Sequence, residues 1–171
     1  MNNDQEITLN CKLQNLTEQP TKHWPQIYNG YGYGEILFSW FIKEPGPLTV
    51  TGLRFRSPIN GSDWTNAPKT FVVMGYKGKE CKPGQCRCLN GVELFRVQNS
   101  EFTGPGQTKS WSIPCEKRDA YHCYMVKTYE LYRRFPATVR LEQVTFFHST
   151  GEKPVTVEPS PSRNCNRGRG R

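Results

Sequence analysis

Apolar residues crowd positions 36–42, Ile36-Leu37-Phe38-Ser39-Trp40-Phe41-Ile42, between a glycine-rich segment and Glu44-Pro45-Gly46-Pro47. A run this short, bounded by turn formers, predicts a buried strand. The next stretch alternates instead, with Leu48, Val50, Gly52 and Arg54 on one face and Thr49, Thr51, Leu53 and Phe55 on the other. Its apolar set changes face near Gly52, as a β-bulge allows. Further strands are predicted at 70–76, 92–97, 111–113 and 121–131, the last rich in aromatic and β-branched residues. Over 137–147, Val139, Leu141, Gln143 and Thr145 oppose Thr138, Arg140, Glu142, Val144 and Phe146. The first set faces the core early and the second late, which predicts another bulge or an antiparallel edge.

Strands at roughly 10–20-residue spacing, with no helical period sustained over three turns, predict an all-β fold: an antiparallel β-sandwich of jelly-roll type. The chain has 171 residues, four Trp, eight Tyr and nine Phe, with Gly and Pro recurring as turn punctuation. That length suits one domain with a full core, assigned to residues 1–150. From Gly151, Pro154, Pro159 and Pro161 precede Arg163-Asn164-Cys165-Asn166-Arg167-Gly168-Arg169-Gly170-Arg171, so residues 151–171 read as a linker or tail.

Seven cysteines, Cys11, Cys81, Cys86, Cys88, Cys115, Cys123 and Cys165, exceed what an ordinary cytosolic domain carries and point to an oxidising compartment. The triplets beginning at Asn15 and Asn60 are N-glycosylation acceptors, in agreement with a secreted chain or an extracellular domain of a membrane protein. Met1-Asn2-Asn3-Asp4-Gln5-Glu6 lacks the basic and apolar parts of a secretory leader, so either the domain was excised with an added Met or the compartment is different. No apolar run approaches the length of a membrane helix.

The central cysteines admit two readings, disulfides that pin a loop or metal ligands, since Cys81, Cys86, Cys88, Cys115, His122 and Cys123 offer thiolates and an imidazole. Only part of their spacing suits structural zinc, so disulfides are expected and no metal or cofactor. An odd total leaves one cysteine unpaired or intermolecular.

The order of the elements over 36–147 resembles the discoidin, or coagulation-factor C-type, domain of the galactose-binding-like group. The run 36–42 followed by Leu48-Thr49-Val50-Thr51-Gly52-Leu53-Arg54-Phe55 is similar to that family's paired core strands. Pro68-Lys69-Thr70-Phe71-Val72-Val73-Met74-Gly75, Tyr124-Met125-Val126-Lys127 and Val139-Arg140-Leu141-Glu142-Gln143-Val144-Thr145-Phe146 resemble its later strands in order. The sequence departs from the family at Ser39-Trp40-Phe41-Ile42-Lys43-Glu44, where the expected Asp is missing, and in the insertion spanning Cys81 to Cys88. The resemblance implies ligand binding at one end of the sandwich and a tie between the chain ends, Cys11 with Cys165.

Two segments offer binding chemistry. In 23–34, His23, Trp24, Tyr28, Tyr31 and Tyr33 sit among glycines, where exposed rings stack on sugars or else pack beneath the loop. In 56–66, Arg56, Asn60, Asp63 and Trp64 combine a cation, an amide, a carboxylate and a ring, or form a solvated turn with Trp64 tucked inward. Lys127, Arg133, Arg134 and Arg140, interleaved with Tyr124, Tyr129, Tyr132 and Phe135, form either a polyanion track or a solvated sheet face. The net charge of +8 favours polyanionic partners, though Arg163, Arg167, Arg169 and Arg171 concentrate part of it in the tail.

No nucleophile elbow, His-Glu-x-x-His pair or phosphate-binding loop exists, so no catalytic residue is assigned. The expected function is a non-catalytic module binding a glycan or cell-surface glycoprotein, or a sulfated polysaccharide. The alternatives are a protein-interaction ectodomain and a zinc-stabilised nucleic-acid binder, the latter disfavoured.

Overall fold

The computed structural model describes residues 19–20, 24–28, 36–44, 46–78, 91–133, 139–148 and 156–160, the backbone alone for 19–20, 24–28, 36–37 and 156–160. Among the described residues eleven strands run in chain order: β1 (Gln19–Pro20), β2 (Trp24–Tyr28), β3 (Ile36–Glu44), β4 (Leu48–Arg56), β5 (Pro68–Tyr76), β6 (Val92–Val97), β7 (Thr108–Ser112), β8 (Ala120–Tyr121), β9 (Cys123–Leu131), β10 (Val139–His148) and β11 (Thr156–Ser160). Single 3₁₀ turns occupy Asp63–Asn66 and Cys115–Lys117. No helix among the described residues is long and apolar enough to cross a membrane.

The strands form an antiparallel β-sandwich of two sheets. In the first, β10 lies between β4 on one side and β1 and β2 on the other, β7 continues beyond β4, and β8 pairs with the start of β4. The second runs β11-β3-β9-β5-β6. Rings pack across the gap: Trp40 of β3 meets Phe146 of β10 at 5.0 Å, and Phe71 of β5 meets Phe55 of β4 at 5.3 Å and Trp111 of β7 at 5.2 Å. Burying such a side chain contributes about 1.5–3 kcal/mol each, and these ring pairs concentrate that gain between the sheets.

At both places where the alternation changes face the register shifts, which in β10 decides for a bulge over an antiparallel edge. In β4, Leu48, Val50, Leu53 and Phe55 are buried while Arg54 and Arg56 are half-exposed, and the register with β10 shifts where Gly52 and Val50 oppose Phe147 and His148. In β10 the pairing with β2 shifts between Leu141 and Val144, so Val139 and Leu141 face inward before it and Val144 and Phe146 after it. The extra residue in each strand keeps its apolar positions in the core and puts the half-exposed Arg54, Arg56 and Gln143 on the outer face together with Thr145, which is buried there.

A second tie crosses the sandwich at the start of β4. The Tyr124 hydroxyl, on β9, donates to the Leu48 carbonyl and accepts the Val50 amide at 3.0 Å. It supplies buried backbone groups with partners beside the bulge. Nearby, Gly75 is obligatory for packing: a Cβ there would lie 2.8 Å from the Tyr121 ring.

Two expectations are corrected. Residues 24–28 are not part of a glycine-rich loop but form β2, with Trp24 opposite Val144 and Tyr28 opposite Val139. Residues 156–160, read as linker, form β11 along the edge of β3, Pro159 opposite Trp40. An edge strand needs hydrogen bonds on one side only, so it tolerates the proline that argued against a strand.

Candidate functional site

The C-terminal end of β2, the C-terminal end of β4 and the first residues of β10 lie together, since Tyr28 opposes Val139 and Arg56 opposes Gln143. Tyr28 of one predicted binding segment and Arg56 of the other therefore stand at the same end of the first sheet. His23, Tyr31 and Tyr33 lie outside the described residues, as do Asn15, Cys11, Cys81, Cys86, Cys88 and Cys165.

Within 56–66 the four predicted residues do not form one cluster. Asn60 is exposed at a turn, and its carbonyl accepts the Asp63 amide at 3.0 Å. Asp63 is held by Arg140 at 3.3 Å. Trp64 is half-buried, packs on the core and meets Tyr132 at 5.6 Å, so its ring is not a free stacking platform. Arg56 lies on the outer face of the first sheet, its Nε 3.5 Å from the Gly106 carbonyl.

There it joins a groove of about 280 Å³ lined by Arg54, Arg56, Gly106, Thr108, Gln143 and Thr145. Strand register assembles it in two rows, Gln143 beside Arg56 beside Thr108, and Thr145 beside Arg54 beside Ser110. The lining holds two guanidiniums, hydroxyls and an amide, and no carboxylate. Arg54 is fixed on two sides: its Nε donates to Ser110 Oγ at 3.2 Å, and its guanidinium lies 4.8 Å from the Phe147 ring centre.

One wall is braced by Ser57. Its amide donates to the Gln107 carbonyl at 2.8 Å, its hydroxyl donates to the Gly104 carbonyl at 2.9 Å, and it accepts the Gln107 amide at 2.9 Å. Gln107 in turn accepts the Thr103 amide and donates to its hydroxyl, both at 2.8 Å. Gly106, at φ +65°, sits in the left-handed region that favours glycine and makes the tight turn at the groove rim.

No protein-family model matches the chain, and no curated protein does. The site must therefore be read from its own chemistry.

The cysteines divide. Cys115 is disulfide-bonded. Cys123, expected in a disulfide, is instead a free, fully buried thiol packed with Tyr76 and Met125 and flanked by Phe41 and Met74. The physical reason is its place in β9 of the second sheet, opposite Phe41 and Tyr76 on the adjoining strands, which leaves no cysteine at a neighbouring register position. Burial pushes its pKa up to about 12, against a hydrogen bond with Ser39 that lowers it. Among the described residues no group of three His, Cys, Asp or Glu is placed to hold a metal.

The basic stretch does not form one track either. Lys127 lies on β9 of the second sheet, Arg140 on β10 of the first, and Tyr124 is buried between them. Sequence reasoning named Arg56 of the groove residues. The others carried one signal, the change of apolar face within β4 and β10, which marks Arg54, Gln143 and Thr145 as outward once the bulges are placed.

Proposed function

We propose that this chain is an extracellular, non-catalytic binding domain of discoidin-like type that recognises an acidic glycan or another anionic surface. The binding face is the groove on the outer side of the first sheet, at the end where Tyr28 and Arg56 stand. The observation that carries the reading is the pair of outward guanidiniums, Arg54 and Arg56, in a groove whose other lining groups are neutral and polar. Neither arginine has a carboxylate partner among the described residues, whereas Arg96 is held by Glu93 at 2.8 Å and Arg140 by Asp63. Unneutralised cations in a recess attract anions and give them directional donors. The disulfide at Cys115 supports an oxidising compartment.

The test is retention on an immobilised sulfated polysaccharide, compared with a neutral polysaccharide, as salt is raised. The wild type is expected to be held at low salt, released as salt rises, and pass the neutral matrix unretarded. The Arg54→Gln, Arg56→Gln double variant is expected to elute much earlier, with no more than the small drop in melting temperature that loss of the Arg54 contact with Phe147 brings. Equal retention of wild type and variant removes the groove from the function.

A further inference from the structure

We infer that the groove is a two-point site for a doubly sulfated saccharide unit, its acidic groups placed along β4. The inference rests on the binding reading above and narrows its ligand.

Arg54 and Arg56 project from the same face of one strand, so their Cα atoms stand about 6.6 Å apart along it, two residues of rise. Each occupies the middle of its own row, with neutral hydrogen-bonding residues on the adjacent strands β10 and β7. The two cations therefore stand in adjacent rows of one groove, each flanked by its own neutral hydrogen-bonding neighbours, and offer two seats side by side.

The seats differ in readiness. Arg54 is oriented by Ser110 and Phe147 and presents its guanidinium in a fixed plane. Arg56 has only the long contact to the Gly106 carbonyl, so it can turn toward a second acidic group. An ordered donor fork costs less entropy on binding than a free one, and the second then acts at high local concentration.

The remaining lining selects a saccharide over a lipid surface. Thr108 and Gln143 carry a hydroxyl and an amide, neither hydrogen-bonded to another described residue, and they flank Arg56 on both sides. Such groups match sugar hydroxyls. The six lining residues include no large apolar side chain; the exposed Ile59 stands outside them, beside Gly106.

The experiment is titration calorimetry of the whole chain with disaccharides of one backbone carrying two, one or no sulfates, alongside the sulfated polysaccharide. The disulfated unit is expected to bind about tenfold more tightly than the monosulfated one, and the unsulfated one not measurably. Arg54→Gln and Arg56→Gln are each expected to erase that tenfold preference, Arg56→Gln at an unchanged melting temperature and Arg54→Gln with only the small drop that loss of its contact with Phe147 brings. Lys127→Gln, an equal loss of charge on the other sheet, is expected to leave it intact. Equal binding of the mono- and disulfated units, or the same loss with Lys127→Gln, overturns the two-point site. Absence of binding to the polysaccharide itself instead overturns the function proposed above, so the two failures are distinct.

Discussion

Arg54 holds its guanidinium 4.8 Å from the centre of the Phe147 ring, across the strand pair β4 and β10. At a half-exposed site this cation–π contact stabilises by about 0.5–1 kcal/mol, modest for the fold but sufficient to bias one rotamer of a long side chain. Phe147→Leu keeps the apolar cover and removes the ring face. It is expected to weaken binding to a sulfated polysaccharide roughly two- to fivefold while changing stability by less than about 1 kcal/mol. Paired affinity and denaturation measurements check this.

Ser57 is the hinge pin of the groove wall. Ser57→Ala leaves the Gly104 carbonyl and the Gln107 amide without their side-chain partner, and is expected to cost about 1–2 kcal/mol. The same change loosens the turn that carries Gly106, so amide exchange at Gln107 should accelerate and affinity for the polysaccharide should fall. Unchanged exchange at Gln107 would show that the wall is held by other contacts.

Tyr124→Phe isolates the inter-sheet tie. The ring packing against Phe146 and Tyr121 survives, but the Val50 amide and the Leu48 carbonyl lose their partner. A loss of about 1–3 kcal/mol in urea unfolding, with an unchanged slope, is the expected result. The surrounding burial also drives the phenol's pKa well upward, so it stays protonated and able to donate throughout the range in which the fold is stable.

His148 gives the fold an acid sensitivity. Burial lowers its pKa from the ordinary 6.5, so the folded state favours the neutral ring. The unfolded chain then binds the proton more readily, and stability that is full above about pH 6.5 declines as the pH falls through that value toward the lower folded pKa. Thermal melts between pH 8 and 5 should show this decline, and His148→Gln should flatten it. A melting temperature constant over that range would contradict the assignment.

Much of the core was legible before the structure. Phe38, Trp40 and Ile42 lie in the predicted buried run, and Leu48, Val50, Leu53 and Phe55 exchange faces where the alternation breaks. The candidate site was legible only in part. Trp64 and Asp63 carry the chemistry of a binding loop, yet Trp64 completes the core beside Tyr132 and Asp63 neutralises Arg140. Residue type alone does not distinguish a ring that seals the end of a sandwich from one that stacks on a ligand. Cys123 makes the same point for disulfides, because pairing depends on which strands are neighbours and sequence spacing is silent on that.

The sequence by itself determined the central strands, most of their inward residues and the two places where the apolar face changes, because alternation with period two is a local property written in consecutive side chains. Only the tertiary structure decided that Arg54 and Arg56 of β4 meet Thr108 of β7 and Gln143 and Thr145 of β10, and that β2 and β11 join the sheets at all. Those neighbours are set by strand order and register, which arise from packing the whole apolar surface at once, and no window of the chain contains them.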